Sequence, residues 1–305
     1  MTQVGFGKII LLGEHAVVYG YPALAAALDR GVTMAPVPTP AGGSLRLELR
    51  AWNVAVHAAE DHPVARSLAA IADALGAGRP AMSLVGDAQL PPGAGLGSSA
   101  ALAVAIARAL LEYLKQPLDV ATLTRAAGVS ETLVHGRPSG VDVALAIAGG
   151  VGVFRRSTGL RPLGNAPALR VLVGPSGAPR STGAMVQRVH DAVAGKADDA
   201  RLHELGSLTD AGTLSLLAGD GAALGAAMNR AHALLADLGV STPQLDALCQ
   251  AARDAGATGG KLTGAGGGGA VIAIAPRDRE AAVLAAWKRA GVEGFVATVR
   301  SGAAA

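Results

Sequence analysis

Ionisable side chains and serines stand beside glycine runs at several places in the sequence, and each place suggests part of one chemistry. The first is Gly7-Lys8-Ile9-Ile10-Leu11-Leu12-Gly13-Glu14-His15-Ala16-Val17-Val18-Tyr19-Gly20. An apolar run with Lys8 at its start and Glu14-His15 at its end carries charge to both ends of a buried element. A buried ammonium is expensive unless an anion meets it. The second is Pro91-Pro92-Gly93-Ala94-Gly95-Leu96-Gly97-Ser98-Ser99-Ala100-Ala101. Its glycines let backbone N–H groups approach an anion, and a helix starting there adds the positive end of its dipole. Ser98 or Ser99 can cap that helix, or turn a hydroxyl towards a phosphate or its metal. The third runs from Glu131 through His135, Gly136 and Pro138 to Asp142. Glu131 and His135 share a helix face, the helix breaks at Gly136, and Pro138 can start a new one with Asp142 in its first turn. Two carboxylates around a broken helix suit a metal ligand and a base. The fourth is Lys261-Leu262-Thr263-Gly264-Ala265-Gly266-Gly267-Gly268-Gly269. Such a glycine run cannot pack a core, and it lets another backbone or a ligand come close.

Each segment alone also has a plainer reading. Lys8 could sit in a strand-end ion pair, His15 in the core, and Asp142 at a helix start favoured by the dipole. The phosphate loops of two familiar kinds do not fit. A Walker A loop needs a lysine directly before its serine, and none precedes Ser98. A dinucleotide fingerprint needs its third glycine one position later and an acid ending the next strand, whereas Glu112 falls mid-helix.

The elements that must hold these segments alternate between strand-like and helix-like, which indicates an α+β chain. Strands are expected at 8–12, across 45–56, and at 82–85, 151–154, 169–173, 270–275 and 294–299. Helices are expected at 63–75, 98–114, 119–135, 182–193, 222–238, 243–255 and 279–290. The stretch 159–167, rich in Pro, Gly and Asn, marks a domain boundary, giving domains 1–163 and 164–305. Trp52 is expected in the core.

Composition narrows the function classes. The 305 residues are 50% hydrophobic and 16% charged, far from the profile of a disordered chain. A net charge of +3, no Lys/Arg run and 3% aromatics argue against a nucleic-acid partner. Cys249, the only cysteine, precludes an internal disulfide, and no activating partner for a catalytic thiol is evident. The apolar run at 9–12 is too short for a signal peptide, and the uncharged stretch 88–107 contains Pro91-Pro92, glycines and serines, which disfavour a membrane span. A cytoplasmic protein with no membrane partner is expected.

Taken together, the four segments resemble the GHMP kinases, from Lys8 to Gly269. Within that superfamily the forms Gly-Glu-His-Ala-Val-Val-Tyr-Gly and His-Gly-x-Pro-Ser-Gly-Val-Asp are similar to those of the mevalonate kinase family. The resemblance implies a two-domain fold, with a ribosomal-protein-S5-like N-terminal domain, a ferredoxin-like C-terminal domain and the active site between them. It implies ATP and mevalonate as substrates, Mg²⁺ as cofactor, and a homodimer. Residue by residue, Gly93, Ala94, Gly95, Leu96, Gly97, Ser98 and Ser99 match the ATP phosphate loop, supported by Gly264, Ala265 and Gly266. Ser99 and Glu131 match the Mg²⁺ ligands. Asp142 matches the catalytic aspartate, and Lys8 the lysine that contacts it and the transferred phosphate. Glu14, His15 and Thr182 match positions near the acceptor, and Arg137 and Arg180 are candidates for its carboxylate. Phe6 departs from the family's usual proline, and the short segment 45–57 leaves the adenine contacts unassigned. Phosphomevalonate or homoserine kinase activity, and a non-catalytic nucleotide-binding role, stay open as alternatives.

Overall fold

The computed structural model describes residues 2–40, 43–136, 138–178, 181–299 and 301. Arg137 and Arg180, the candidates for the acceptor carboxylate, lie outside them. The chain forms two compact units, and it passes between them inside its first two strands, β1 (Gln3–Leu12) and β2 (Ala23–Pro38).

The first unit comprises Met1–Gly7, Arg30–Pro92 and Gly97–Ala148. Strands β3 (Arg46–Leu49) and β4 (Val54–His57) form an antiparallel pair, and β3 runs parallel to β5 (Met82–Ala88). The later half of β2 pairs antiparallel with β5, with Thr33 opposite Asp87. Helices α1 (Pro63–Ala74), α2 (Ser98–Tyr113), α3 (Val120–His135) and α4 (Val141–Ala148) pack together. Helix α2 is the hub, because Ala, Val, Ile and Leu from Ala100 to Leu111 bury nearly its whole circumference. Its polar face is used too: Arg108 donates to the carbonyls of Val4 and Ile147, and Glu112 accepts from Gln3 at 2.9 Å. Trp52 departs from expectation. It is only half-buried, and its indole N–H donates to the Leu90 carbonyl at 2.8 Å.

The second unit comprises Lys8–Asp29, Gly93–Leu96 and Gly149–Ala305. The start of β2 pairs antiparallel with β6 (Val151–Arg155), and β6 with β7 (Gly159–Pro162). A second, antiparallel sheet has the order β11 (Phe295–Val299), β8 (Leu169–Pro175), β10 (Ala270–Ile274), β9 (Gly259–Thr263). Around it stand α5 (Thr182–Ala192), α6 (Ala200–Ala218), α7 (Gly221–Asp237), α8 (Pro243–Asp254) and α9 (Glu280–Arg289). Helices α7 and α8 pack on β9, and α9 on β8. The fully buried Trp287 of α9 anchors this layer, donating to the Leu248 carbonyl at 2.9 Å.

Candidate active site

The loop 93–97 turns the chain into α2 through glycines in the left-handed region: Gly97, where the first unit resumes at φ 72°, is itself the N-cap. No serine side chain caps this helix. Ser99 Oγ lies 3.1 Å from His135 Nε2 instead. Glu131, one helical turn before His135 and 1% exposed, brings Oε2 to 3.8 Å from the same nitrogen. A serine hydroxyl and a buried carboxylate from different segments of the sequence thus converge on one imidazole. Asp142 is half-buried in the first turn of α4.

In the second unit, Lys8 is buried, and its backbone N–H donates to the Leu96 carbonyl at 2.8 Å, fastening β1 to the first glycine loop. At the far end of β1, the Glu14 carbonyl accepts from the Ala16 N–H at 2.7 Å. That bond closes a γ-turn centred on His15, at φ 60° and ψ −46°. The His15 ring donates from Nε2 to the Ala265 carbonyl at 2.9 Å, which places its proton on Nε2. The buried Glu14 carboxylate pairs with Lys261 of β9, and Lys261 Nζ also donates to the Leu262 carbonyl at 2.7 Å. Burial pushes the Glu14 carboxyl up and the Lys261 ammonium down, each opposed by the other's charge.

The second glycine loop connects β9 to β10 and is pinned along its length. Gly267 N–H donates to Val240 at 2.8 Å, and the Gly269 carbonyl accepts from both the N–H and the hydroxyl of Ser176, at 2.7 and 2.9 Å. A Cβ on Gly266 would strike the Val240 carbonyl. Thr182 opens α5 behind its cap Ser181, half-buried.

Comparison with known proteins agrees with this layout. Residues 62–150 match the model of the GHMP kinases N terminal domain, and residues 214–293 that of GHMP kinases C terminal. A mevalonate kinase of Aeropyrum pernix is 35% identical over 286 residues, covering 88% of this chain and 86% of that one. The chain belongs to the GHMP kinases. A mevalonate kinase of Thermococcus sibiricus is 34% identical and covers 93% of this GHMP kinase and 91% of its own length. Among solved structures, L. major mevalonate kinase in complex with R-mevalonate superposes with a TM-score of 0.85 at 28% identity, over 100% of this chain and 97% of that one. The two-domain GHMP kinase fold expected from the sequence is the one found.

The donors around His135 suit a hard cation. Among the described residues no group of three or more His, Cys, Asp or Glu side chains could hold a metal by itself. Ser99 and Glu131 offer oxygen only, and Mg²⁺ habitually completes such a partial set with phosphate oxygens and water. Two participants escaped the sequence reading. His135 was visible as the helix partner of Glu131, but not as the neighbour of Ser99. Lys261 stood in the fourth motif without a role, and it is the structure that places it in a strand whose every residue is buried.

Proposed function

We propose that this GHMP kinase is an ATP-dependent mevalonate kinase, a phosphotransferase acting on an alcohol group. The observation that carries this reading is the 35% identity with a mevalonate kinase over 88% of the chain. In the reaction, the C5 hydroxyl oxygen of (R)-mevalonate forms a bond to the γ-phosphorus of ATP. The bond from that phosphorus to the β–γ bridging oxygen breaks, and ADP leaves with its electron pair. Asp142 takes the hydroxyl proton, and 5-phosphomevalonate is the product. Lys8 supplies positive charge for the phosphoryl oxygens in the transition state. The residues from Gly93 to Ser99 bind the ATP phosphates through backbone N–H groups, and Gly264, Ala265 and Gly266 support them. Ser99 and Glu131 would hold Mg²⁺, which neutralises phosphate charge. Glu14, His15 and Thr182 orient the acceptor, since positioning supplies much of the rate in such a transfer. A homodimer and a cytoplasmic location complete the reading, the first checked by light scattering.

The test is an ADP-release assay with ATP, Mg²⁺ and (R)-mevalonate, beside phosphomevalonate, homoserine and galactose. Turnover on mevalonate, reduced about 10²–10⁴-fold in Asp142→Ala with the fold retained, is the expected result. Turnover on another acceptor alone would overturn the substrate assignment, and full activity of Asp142→Ala would overturn the role of that residue.

A further inference from the structure

Lys261 lies in an all-buried strand and is itself 0% exposed. An ammonium in such surroundings is a liability unless it does something an apolar side chain could not. Its partner is Glu14, and Glu14 immediately precedes His15, which is held at φ 60° and ψ −46°. That conformation is strained for any residue with a side chain, and it persists only where the surroundings over-determine it. Several of the restraints come from one stretch of chain. Lys261 grips Glu14, Thr263 bonds the backbone of Ile10 on both sides, and the Ala265 carbonyl receives the His15 ring proton. Alternate residues 261, 263 and 265, leading into the second glycine loop, thus clasp the end of β1. Glu14 Oε2 is buried without a hydrogen-bond partner among the described residues, so Lys261 is the side chain that fixes which way this carboxylate points.

We propose that Lys261 is a positioning residue for the acceptor: through Glu14 it holds the strained His15 turn in the form that receives the alcohol substrate. The acceptor side of this inference rests on the reading under Proposed function.

The experiment compares the parent enzyme with Lys261→Met, Lys261→Arg, Glu14→Gln and the double variant Glu14→Gln/Lys261→Met. One readout needs no acceptor: the His15 Nε2–H resonance in ¹H–¹⁵N spectra, whose exchange the bond to the Ala265 carbonyl should slow. It should vanish in Lys261→Met and persist in Lys261→Arg. The second is kinetic. In Lys261→Met, KM for the acceptor should rise about 10–100-fold while KM for ATP stays within about threefold, and Lys261→Arg should restore most of the loss. The double variant, which leaves no lone buried charge, should match Glu14→Gln within about threefold, because Lys261 acts through Glu14. This comparison decides the matter even where Lys261→Met fails to fold. An intact His15 resonance with unchanged acceptor KM in Lys261→Met would overturn the proposal. So would parallel rises in both KM values that arginine does not rescue, or a double variant much worse than Glu14→Gln. If the parent phosphorylates a different acceptor, the same split is read on that acceptor. If it phosphorylates none, the resonance alone decides, so the two readings fail separately.

Discussion

Thr263 and Ile10 are joined twice: the Thr263 hydroxyl accepts from the Ile10 N–H at 2.9 Å and donates to the Ile10 carbonyl at 3.1 Å. One side chain thereby satisfies both polar groups of a buried backbone unit and ties β9 to β1. Thr263→Val keeps the shape and removes both bonds, leaving two buried groups unpaired. The variant should lose about 2–4 kcal/mol of stability, while Thr263→Ser should lose much less. Urea unfolding of the three proteins checks this, and equal midpoints would contradict it.

The two glycine loops should respond differently to alanine. Gly93 has φ 72° with open space where a Cβ would go, so Gly93→Ala bears only the backbone penalty, roughly 1–2 kcal/mol. Gly266, at φ 77°, would also drive its Cβ into the Val240 carbonyl, so Gly266→Ala should cost roughly 3 kcal/mol or more. Thermal unfolding of the pair reads the difference.

Glu280 and Arg170 form a two-point pair at 2.6 and 2.7 Å, and the guanidinium holds the Glu280 carboxyl below its ordinary 4.5. The folded chain therefore binds this proton less readily than the unfolded one. The pair's contribution is present above pH 4.5 and is lost as pH falls through the lower, folded value. Glu280→Gln should lie furthest below the parent in stability near neutral pH, and the gap should close in acid. A gap that widens on acidification would refute the assignment.

Cys249 is buried beside His232, 3.9 Å from its Nδ1, and burial pushes the thiol up to about 12. His232 does not activate it: Nδ1 accepts from the Leu262 N–H at 3.3 Å, and Nε2 faces Asp246 at 3.0 Å. At neutral pH a thiol reagent should attack the native protein at least about a thousandfold more slowly than the denatured one. Reagent titration with and without guanidinium measures the ratio.

Much of this fold was legible because its helices carry their own punctuation. Asp119 caps α3, Thr242 caps α8 ahead of Pro243, and Asp142 falls in the first turn of the helix expected after Pro138. Strand β2 was not legible. Its opening Ala-Leu-Ala-Ala-Ala-Leu is buried at every position, so no alternation marks it, and alanine favours a helix until sheet pairing overrides it. Helix α6 was missed for the opposite reason. Its Gly206 and Gly212 dilute any apolar stripe, and their purpose is close approach to Tyr21 and Leu12. The stretch around 159–162 read as a linker and is the strand β7, completed by pairing with β6. Within the candidate site, residue types and the one-turn pair Glu131 and His135 were readable, and the long-range partners were not. Ser99 and His135 are 36 positions apart and Glu14 and Lys261 are 247 apart, distances over which a single sequence carries no pairing signal.

That last separation also sets a schedule for synthesis. Glu14 leaves the ribosome long before Lys261 is translated, and at about 5–20 residues per second the wait is roughly 10–50 s. Over that interval the carboxylate stays hydrated and the His15 turn has no reason to form. The end of β1 that carries Glu14 and His15 is therefore among the last parts of the nascent chain to take its final shape. A ribosome stalled before β9 would carry the first glycine loop and both proposed cation ligands, but a β1 terminus still without its clasp.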